Sequence, residues 1–235
     1  MKIAILGYGK MGKEIEKISL ERGHEIVLII DEKSEREISK KVDVAINFCT
    51  PQTAYKNIRL ALSNNIPVVS GTTGWLANYP KIEELSRKKQ TGFLYSSNFS
   101  LGVNLFFELN KNLSKIMNNH LDYKLSINEV HHVEKKDKPS GTAIKLAEDI
   151  IKNSKYTSWS NSNKNDSIFI KSLRKNAVPG KHTVKYSSSI DEIKISHKAN
   201  NRKGFAIGAV IAAEWIIGKI GVYEMSDVIK NIKFK

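Results

Sequence analysis

The sequence predicts an α/β protein in two parts. Residues 1–99 read as a parallel sheet with helices on both faces, and residues 100–203 as an α+β domain with an open mixed sheet. Helices over about 204–235 are expected to pack back on the first part or its border. Three observations carry this expectation. Strands and helices alternate from Lys2 to Ser96, the pattern of βαβ crossovers in a parallel sheet. After Phe99 the alternation stops, and strands follow one another without helices between them. A glycine turn, Gly7-Tyr8-Gly9-Lys10-Met11-Gly12, separates the first strand from the first helix.

Residues 2–6 form a short apolar run that reads as a buried strand. Lys10 to Arg22 has helical spacing, with Met11, Ile15, Ile18 and Leu20 as its apolar positions. Glu25 to Ile30 is a second strand and ends at Asp31. Val42 to Phe48 is a third, followed by Thr50-Pro51 and a helix to Asn64. Proline suits the first turn of a helix because its missing N–H is not needed there. Pro67 to Ser70 and Phe93 to Ser96 complete the strands, with a helix near Lys81 to Lys89 between them.

In the second part, Leu105 to Met117 is helical, with Leu105, Leu109, Leu113 and Ile116 at three-to-four spacing. Tyr123 to Val130 alternates like a strand, with Leu125 and Ile127 on one face, and a helix follows over Ala143 to Ile151. The polar stretch Asn153 to Asp166 reads as a loop in which Trp159 is isolated. Strands are expected at Ser167 to Leu173, Thr183 to Tyr186 and Asp191 to Ser196. The chain closes with an apolar helix over Gly204 to Ile217 and a short one near Ser226 to Asn231. No internal repeat or heptad is evident.

At 235 residues the chain can bury a sizeable core and divide into two modest domains. One cysteine, Cys49, rules out an intramolecular disulfide and a multi-cysteine metal site, and fits a reducing cytoplasm. The N-terminus runs straight into a strand, so no secretory signal is expected. The longest apolar run, near Phe205 to Ile217, contains Glu214 and is too short to span a bilayer. The net charge of +14 raises nucleic acid as a partner. The lysines are scattered rather than gathered in a stripe with interleaved aromatics, which favours a solvated surface and no nucleic-acid role.

Gly7, Gly9 and Gly12 form G-x-G-x-x-G between a strand and a helix, and Asp31 lies about twenty residues on. In a Rossmann-type unit the first glycine allows the tight turn. The second lets backbone approach a pyrophosphate, and the third lets the helix pack on the strand. The phosphates sit at the helix N-terminus, where unpaired amides attract anions. Asp31 is placed to accept hydrogen bonds from a ribose. Lys33 beside it could pair with a 2′-phosphate, which leaves NAD and NADP both open. Gly71-Thr72-Thr73-Gly74 and Ser97-Asn98-Phe99 end parallel strands, where ligands of such sheets bind. Ordinary turn chemistry explains them equally well.

His131, His132 and Lys135 carry the chemical expectation. Adjacent histidines on a strand point to opposite faces and do not easily share a metal ion. No third ligand stands at metal spacing, so no metal is expected. General acid chemistry suits histidine, and Lys135 can neutralise a carboxylate or donate a proton. Ser140, Gly141 and Thr142 present amides and hydroxyls at a helix start, where a carboxylate binds. Arg202 reads equally as a carboxylate ligand or as a structural cap.

Six segments together resemble a known family: GYGKMG at 7–12, GTTG at 71–74, SSNFSLGVN at 96–104, EVHHVEKKDKPSGTA at 129–143, VPGKHTV at 178–184 and ISHKANNRKGFAIGA at 195–209. The family is that of the 4-hydroxy-tetrahydrodipicolinate reductases, or dihydrodipicolinate reductases, of bacterial lysine and diaminopimelate synthesis. The resemblance implies NADH or NADPH as coenzyme, a small cyclic dicarboxylate as substrate and a homotetramer built through the second domain's sheet. It implies that Gly7, Tyr8, Gly9, Lys10, Met11, Gly12 and Asp31 hold the dinucleotide. Gly71, Thr72, Thr73, Ser96, Ser97, Asn98 and Phe99 would border the nicotinamide. It gives His131 and Lys135 the proton chemistry, and His132, Gly141 and Thr142 the substrate. Compared with longer members, the glycine turn is one residue tighter and the segment between Asp31 and Asp43 is short.

Two rival readings remain on the residues alone. One is another two-domain dehydrogenase of amino acids or sugars. The other is a non-enzymatic dinucleotide sensor that binds nucleic acid, which would show steep salt dependence.

Overall fold

A computed structural model of the chain describes residues 1–31, 37–38, 41–162, 166–176, 178–201 and 203–231; Lys33 and Arg202 lie outside the described residues. The chain forms two compact units, Met1–Leu101 with Lys203–Lys235, and Gly102–Arg202.

The first unit is built on β1 (Lys2–Leu6), β2 (Glu25–Ile30), β3 (Val44–Asn47), β4 (Val68–Ser70), β5 (Gly92–Tyr95) and β11 (Gly221–Tyr223). They form one sheet in the order β11-β5-β4-β3-β1-β2, and every pairing in it is parallel. Successive side chains of a strand point to opposite faces, and the apolar runs are buried on both. Ile3 and Ile5 face a core shared with Ile15 and Ile18 of α1 (Lys10–Glu21), with α6 (Lys203–Ile216) and with α7 (Met225–Asn231). Ala4 and Leu6 face the opposite core, where Ala54, Ile58, Ala61 and Leu62 of α2 (Pro51–Ser63) and Ile82 of α3 (Tyr79–Lys88) pack. Helix α6 buries alanine, glycine, valine and isoleucine along its length. One of the expected apolar positions of α1, Leu20, is corrected: it is 55% exposed, and Ser19 is the buried residue there. Strand β11 was not legible in the sequence.

The second unit holds β6 (Lys124–His131), β7 (Ser158–Ser160), β8 (Ser167–Arg174), β9 (Lys181–Ser187) and β10 (Glu192–Lys198), with α4 (Leu101–Met117) and α5 (Gly141–Ile151). The sheet order is β10-β9-β6-β8-β7. β6 pairs antiparallel with β9 and parallel with β8, so the sheet is mixed. Leu125 and Ile127 of β6 share a core with Leu146, Ala147 and Ile150 of α5. Two expectations are corrected here. The stretch expected to be a loop contains β7, and Trp159 on it packs against this core. The buried residues of α4 are Val103, Asn104, Phe106, Phe107, Asn110, Ser114 and Met117, whereas Leu105, Leu109 and Ile116 are exposed. Burial of two polar members is offset by bonds: Asn110 Nδ2 donates to the Leu146 carbonyl at 3.1 Å and Ser114 to that of Lys111 at 2.9 Å.

Candidate active site

In the first unit the glycine turn has the geometry that a dinucleotide needs. Gly7 has φ +100°, a left-handed conformation that favours glycine, and an added methyl group would stand 2.3 Å from the Phe48 carbonyl oxygen. A methyl group at Gly12 would stand 2.2 Å from the carbonyl oxygen of Gly7, so only glycine lets α1 start this close to the turn. Gly9 caps α1 with no side-chain bond to the helix amides, which leaves the helix start to an anion. Gly7, Tyr8, Gly9 and Asp31 line a cavity of about 560 Å³ together with Cys49 and Thr53. Lys10, Met11, Gly71, Thr72 and Thr73 line a neighbouring cavity of about 370 Å³. This cradle fits NADH or NADPH.

Not every expected residue reaches these cavities with its side chain. Gly12 is buried behind the turn. The Thr72 hydroxyl is spent inside the unit, accepting from the Cys49 amide at 3.0 Å and from Asn47 Nδ2 at 3.3 Å. Ser96 and Asn98 bond one another after β5: the Ser96 hydroxyl donates to the Asn98 carbonyl at 2.8 Å. Ser97 is exposed. The Phe99 ring is buried and meets Phe48 edge-on at 5.5 Å.

In the second unit the alternation of β6 turns Glu129 and His131 to its buried side, along with Leu125 and Ile127. The carboxylate of Glu129 has no exposed side-chain surface, yet it is well supplied with donors. The Ser140 amide donates to both its oxygens, at 3.1 and 3.2 Å. Arg174 Nη1 donates to Oε1 at 3.2 Å. His131 Nδ1 stands 3.2 Å from Oε2, within ion-pair distance but off the line of a straight hydrogen bond. Burial alone would raise the pKa of this carboxyl. The His131 ring beside it, the Ser140 amide and the charge of His131 outweigh it and hold Glu129 well below the usual range.

His182 of β9 meets the His131 ring edge-on at 4.9 Å, and its Nε2 lies 3.1 Å from the Ser140 hydroxyl. Burial, then the charge of His131, pushes His182 down to about 3, so it is neutral at physiological pH. A methyl group at Gly180 would stand 3.1 Å from His131 Nε2, so the glycine lets the backbone before β9 pack closely on that ring edge. Ser140 caps α5, its hydroxyl accepting from the Ala143 amide at 3.2 Å. Gly141 is exposed and Thr142 half-buried in the first turn of that helix. His132 is half-buried just past the end of β6. Lys135 Nζ is 2.7 Å from Asp137 Oδ1, and this bond lowers the Asp137 pKa.

The fold brings His131 together with Glu129 and His182 rather than with His132. Glu129, His131 and His182 bring one ligand atom each within 4.8 Å of one another. The oxygens of Glu129 are already engaged by the Ser140 amide and the Arg174 guanidinium. A further cation would stand beside a fixed positive charge, so the cluster reads as a hydrogen-bonded network.

The description "Dihydrodipicolinate reductase, N-terminus" matches residues 1–99, and "Dihydrodipicolinate reductase, C-terminus" matches residues 102–229. The chain belongs to the dihydrodipicolinate reductase family. It is 49% identical to the 4-hydroxy-tetrahydrodipicolinate reductase of Christiangramia forsetii, over 99% of both chains. It is 38% identical to the enzyme of that name from Thermosipho africanus, over 98% of this chain and 99% of the relative. Its fold is similar to a dipicolinate-bound dihydrodipicolinate reductase from Paenisporosarcina sp. TG-14, with a TM-score of 0.80, 22% identity and coverage of 97% and 98%. Against the family reading from sequence, the structure adds Glu129, Arg174 and His182 to the neighbourhood of His131. Glu129 carried one local signal: a charged residue at an inward position of an alternating strand. His182 and Arg174 lie on other strands, and only the sheet register brings them near.

Proposed function

We propose that the chain reduces 4-hydroxy-tetrahydrodipicolinate to tetrahydrodipicolinate, with His131 and Lys135 managing the proton. The coenzyme, NADH or NADPH, supplies the hydride. Hydride and one proton enter, and the ring loses its hydroxyl as water. The observation that carries the reading is the clustering of His131 and the Ser140–Thr142 helix start around one buried carboxylate. An acid and an anion site thus share one scaffold, which is what protonating a bound dicarboxylate requires.

Each residue's part follows from its place. Gly7, Gly9 and the first amides of α1 hold the pyrophosphate, and Asp31 takes the ribose. Gly71, Thr72, Thr73 and the backbone of Ser96 to Phe99 border the nicotinamide. The amides of Gly141 and Thr142 bind one substrate carboxylate at the start of α5, where the helix dipole favours negative charge. His132 contributes a polar contact to the same molecule. The ammonium of Lys135, held by Asp137 at 2.7 Å, exchanges that partner for substrate and gives up a proton as charge develops on the ring. His131 gives and takes protons as the second member of the acid–base pair.

The working form is proposed to be a cytoplasmic homotetramer. No helix among the described residues is long and apolar enough to cross a membrane. The test is a purified-protein assay that follows the absorbance of NADH and of NADPH with freshly generated substrate. Turnover with at least one coenzyme is expected, and folded protein that turns over with neither overturns the proposal.

A further inference from the structure

Arg174 ends β8, and the parallel register of β6 with β8 sets it abreast of His131. All three nitrogens of its side chain are used. Nε donates to the Lys135 carbonyl at 3.2 Å. Nη1 donates to Glu129 Oε1 at 3.2 Å and to the Leu173 carbonyl at 2.9 Å. Nη2 donates to the same carboxylate oxygen at 3.3 Å and to the Asp137 carbonyl. The carboxylate thus reaches His131 and the Ser140 amide, while the guanidinium ties down the loop on either side of Lys135's neighbour Lys136. The amide of Lys135 is fixed as well, donating to the His132 carbonyl at 3.2 Å.

A buried ion pair seldom adds net stability, because removing both charges from water costs about as much as their attraction returns. Stability is therefore a weak reason for a carboxylate with no exposed surface to sit against this arginine. Geometry offers a stronger one. Lys135 stands on a loop, and groups on loops are held less accurately than groups on strands and helices. Proton transfer loses rate steeply when the acid is misplaced by even about 1 Å. The guanidinium strap gives a loop residue the fixity of the strand end beside it.

We propose that Glu129 and Arg174 are positioning residues, a buried carboxylate and a half-buried guanidinium that fix His131, the Lys135 loop and the Ser140–Thr142 turn in one frame. The proposal rests on the reading of Lys135 and His131 given above, and the test separates the two. Arg174→Lys keeps a cation beside Glu129 but offers one nitrogen where three are needed, so it cannot hold the carboxylate and both loop carbonyls together. It is expected to keep the fold and coenzyme affinity, and to lower kcat about 10-fold to 100-fold.

The deciding measurement is the double-mutant cycle with Lys135→Ala. If Arg174 acts through Lys135, the effect of Arg174→Lys shrinks to about twofold or less in the Lys135→Ala background. An undiminished drop in that background marks Arg174 as structural and overturns the proposal, as does a wild-type kcat for Arg174→Lys alone. A wild-type kcat for Lys135→Ala instead removes the reading underneath. Should Arg174→Lys fold poorly, Glu129→Gln makes the same cycle with His131→Gln. The glutamine oxygen still accepts from the Ser140 amide, while the charge and one acceptor oxygen facing His131 or Arg174 are lost; an undiminished effect of Glu129→Gln in the His131→Gln background overturns the proposal.

Discussion

Glu129 and His182 sit against each other in the second unit, Oε2 to Nε2 at 3.7 Å, and both make the fold less stable as pH falls. The folded His182 takes a proton only near pH 3, against an ordinary value of 6.5. Between those values the unfolded chain binds a proton there that the folded chain does not, so stability falls as pH drops below about 6.5. The folded Glu129 is held below its ordinary 4.5, so its contribution is present above that value and is lost as pH falls through and below it. His131, Glu129, His197 and Lys135 all act on His182, so its own share must be read by substitution. A series of urea-unfolding midpoints from pH 7 to 5 is expected to decline for the wild type and to flatten for His182→Gln. Parallel slopes in the two proteins would show that His182 is not the group responsible.

At the scale of elements, the βαβ order of the first unit was legible because long apolar runs alternate with helical spacing, and a glycine turn joins the first two. The start of α5 was legible too, through its Ser-Gly-Thr run, although the helix begins at Gly141 rather than Ala143. The short strands β7 and β11 were not legible: unlike β4 they carry no run of valines, and pairing with β8 and β5 defines them. The face of α4 was misread because two stripes compete, and the buried one carries Asn110 and Ser114, whose polarity is cancelled only by partners in the fold. The site divides the same way. His131, Lys135 and Ser140–Thr142 stand in one segment, whereas Arg174 and His182 join them through strand register. The turn before α1 offers a direct test at this scale. Gly12→Ala forces a methyl group to 2.2 Å from the Gly7 carbonyl oxygen. It is expected to cost about 1–3 kcal/mol and to weaken NADH and NADPH binding in fluorescence titration; unchanged affinity would remove the turn from the coenzyme site.

At the scale of the whole molecule, family membership, the parallel sheet of one unit and the mixed sheet of the other agree with the sequence reading. The net charge of +14 belongs to a chain whose chemistry concerns small anions. The proposed tetramer, four chains of 26.5 kDa, has a mass of about 106 kDa in light scattering, and a single-chain mass at working concentration would contradict it. The central claim is that the 131–142 segment performs proton chemistry on a substrate reduced by NADH or NADPH. The kcat of His131→Gln and Lys135→Ala, measured by coenzyme absorbance beside coenzyme affinity in the same preparations, tests it most directly. The account predicts kcat lowered about 10²-fold to 10⁴-fold in each, with affinity for the coenzyme retained. Wild-type kcat in both variants would contradict it.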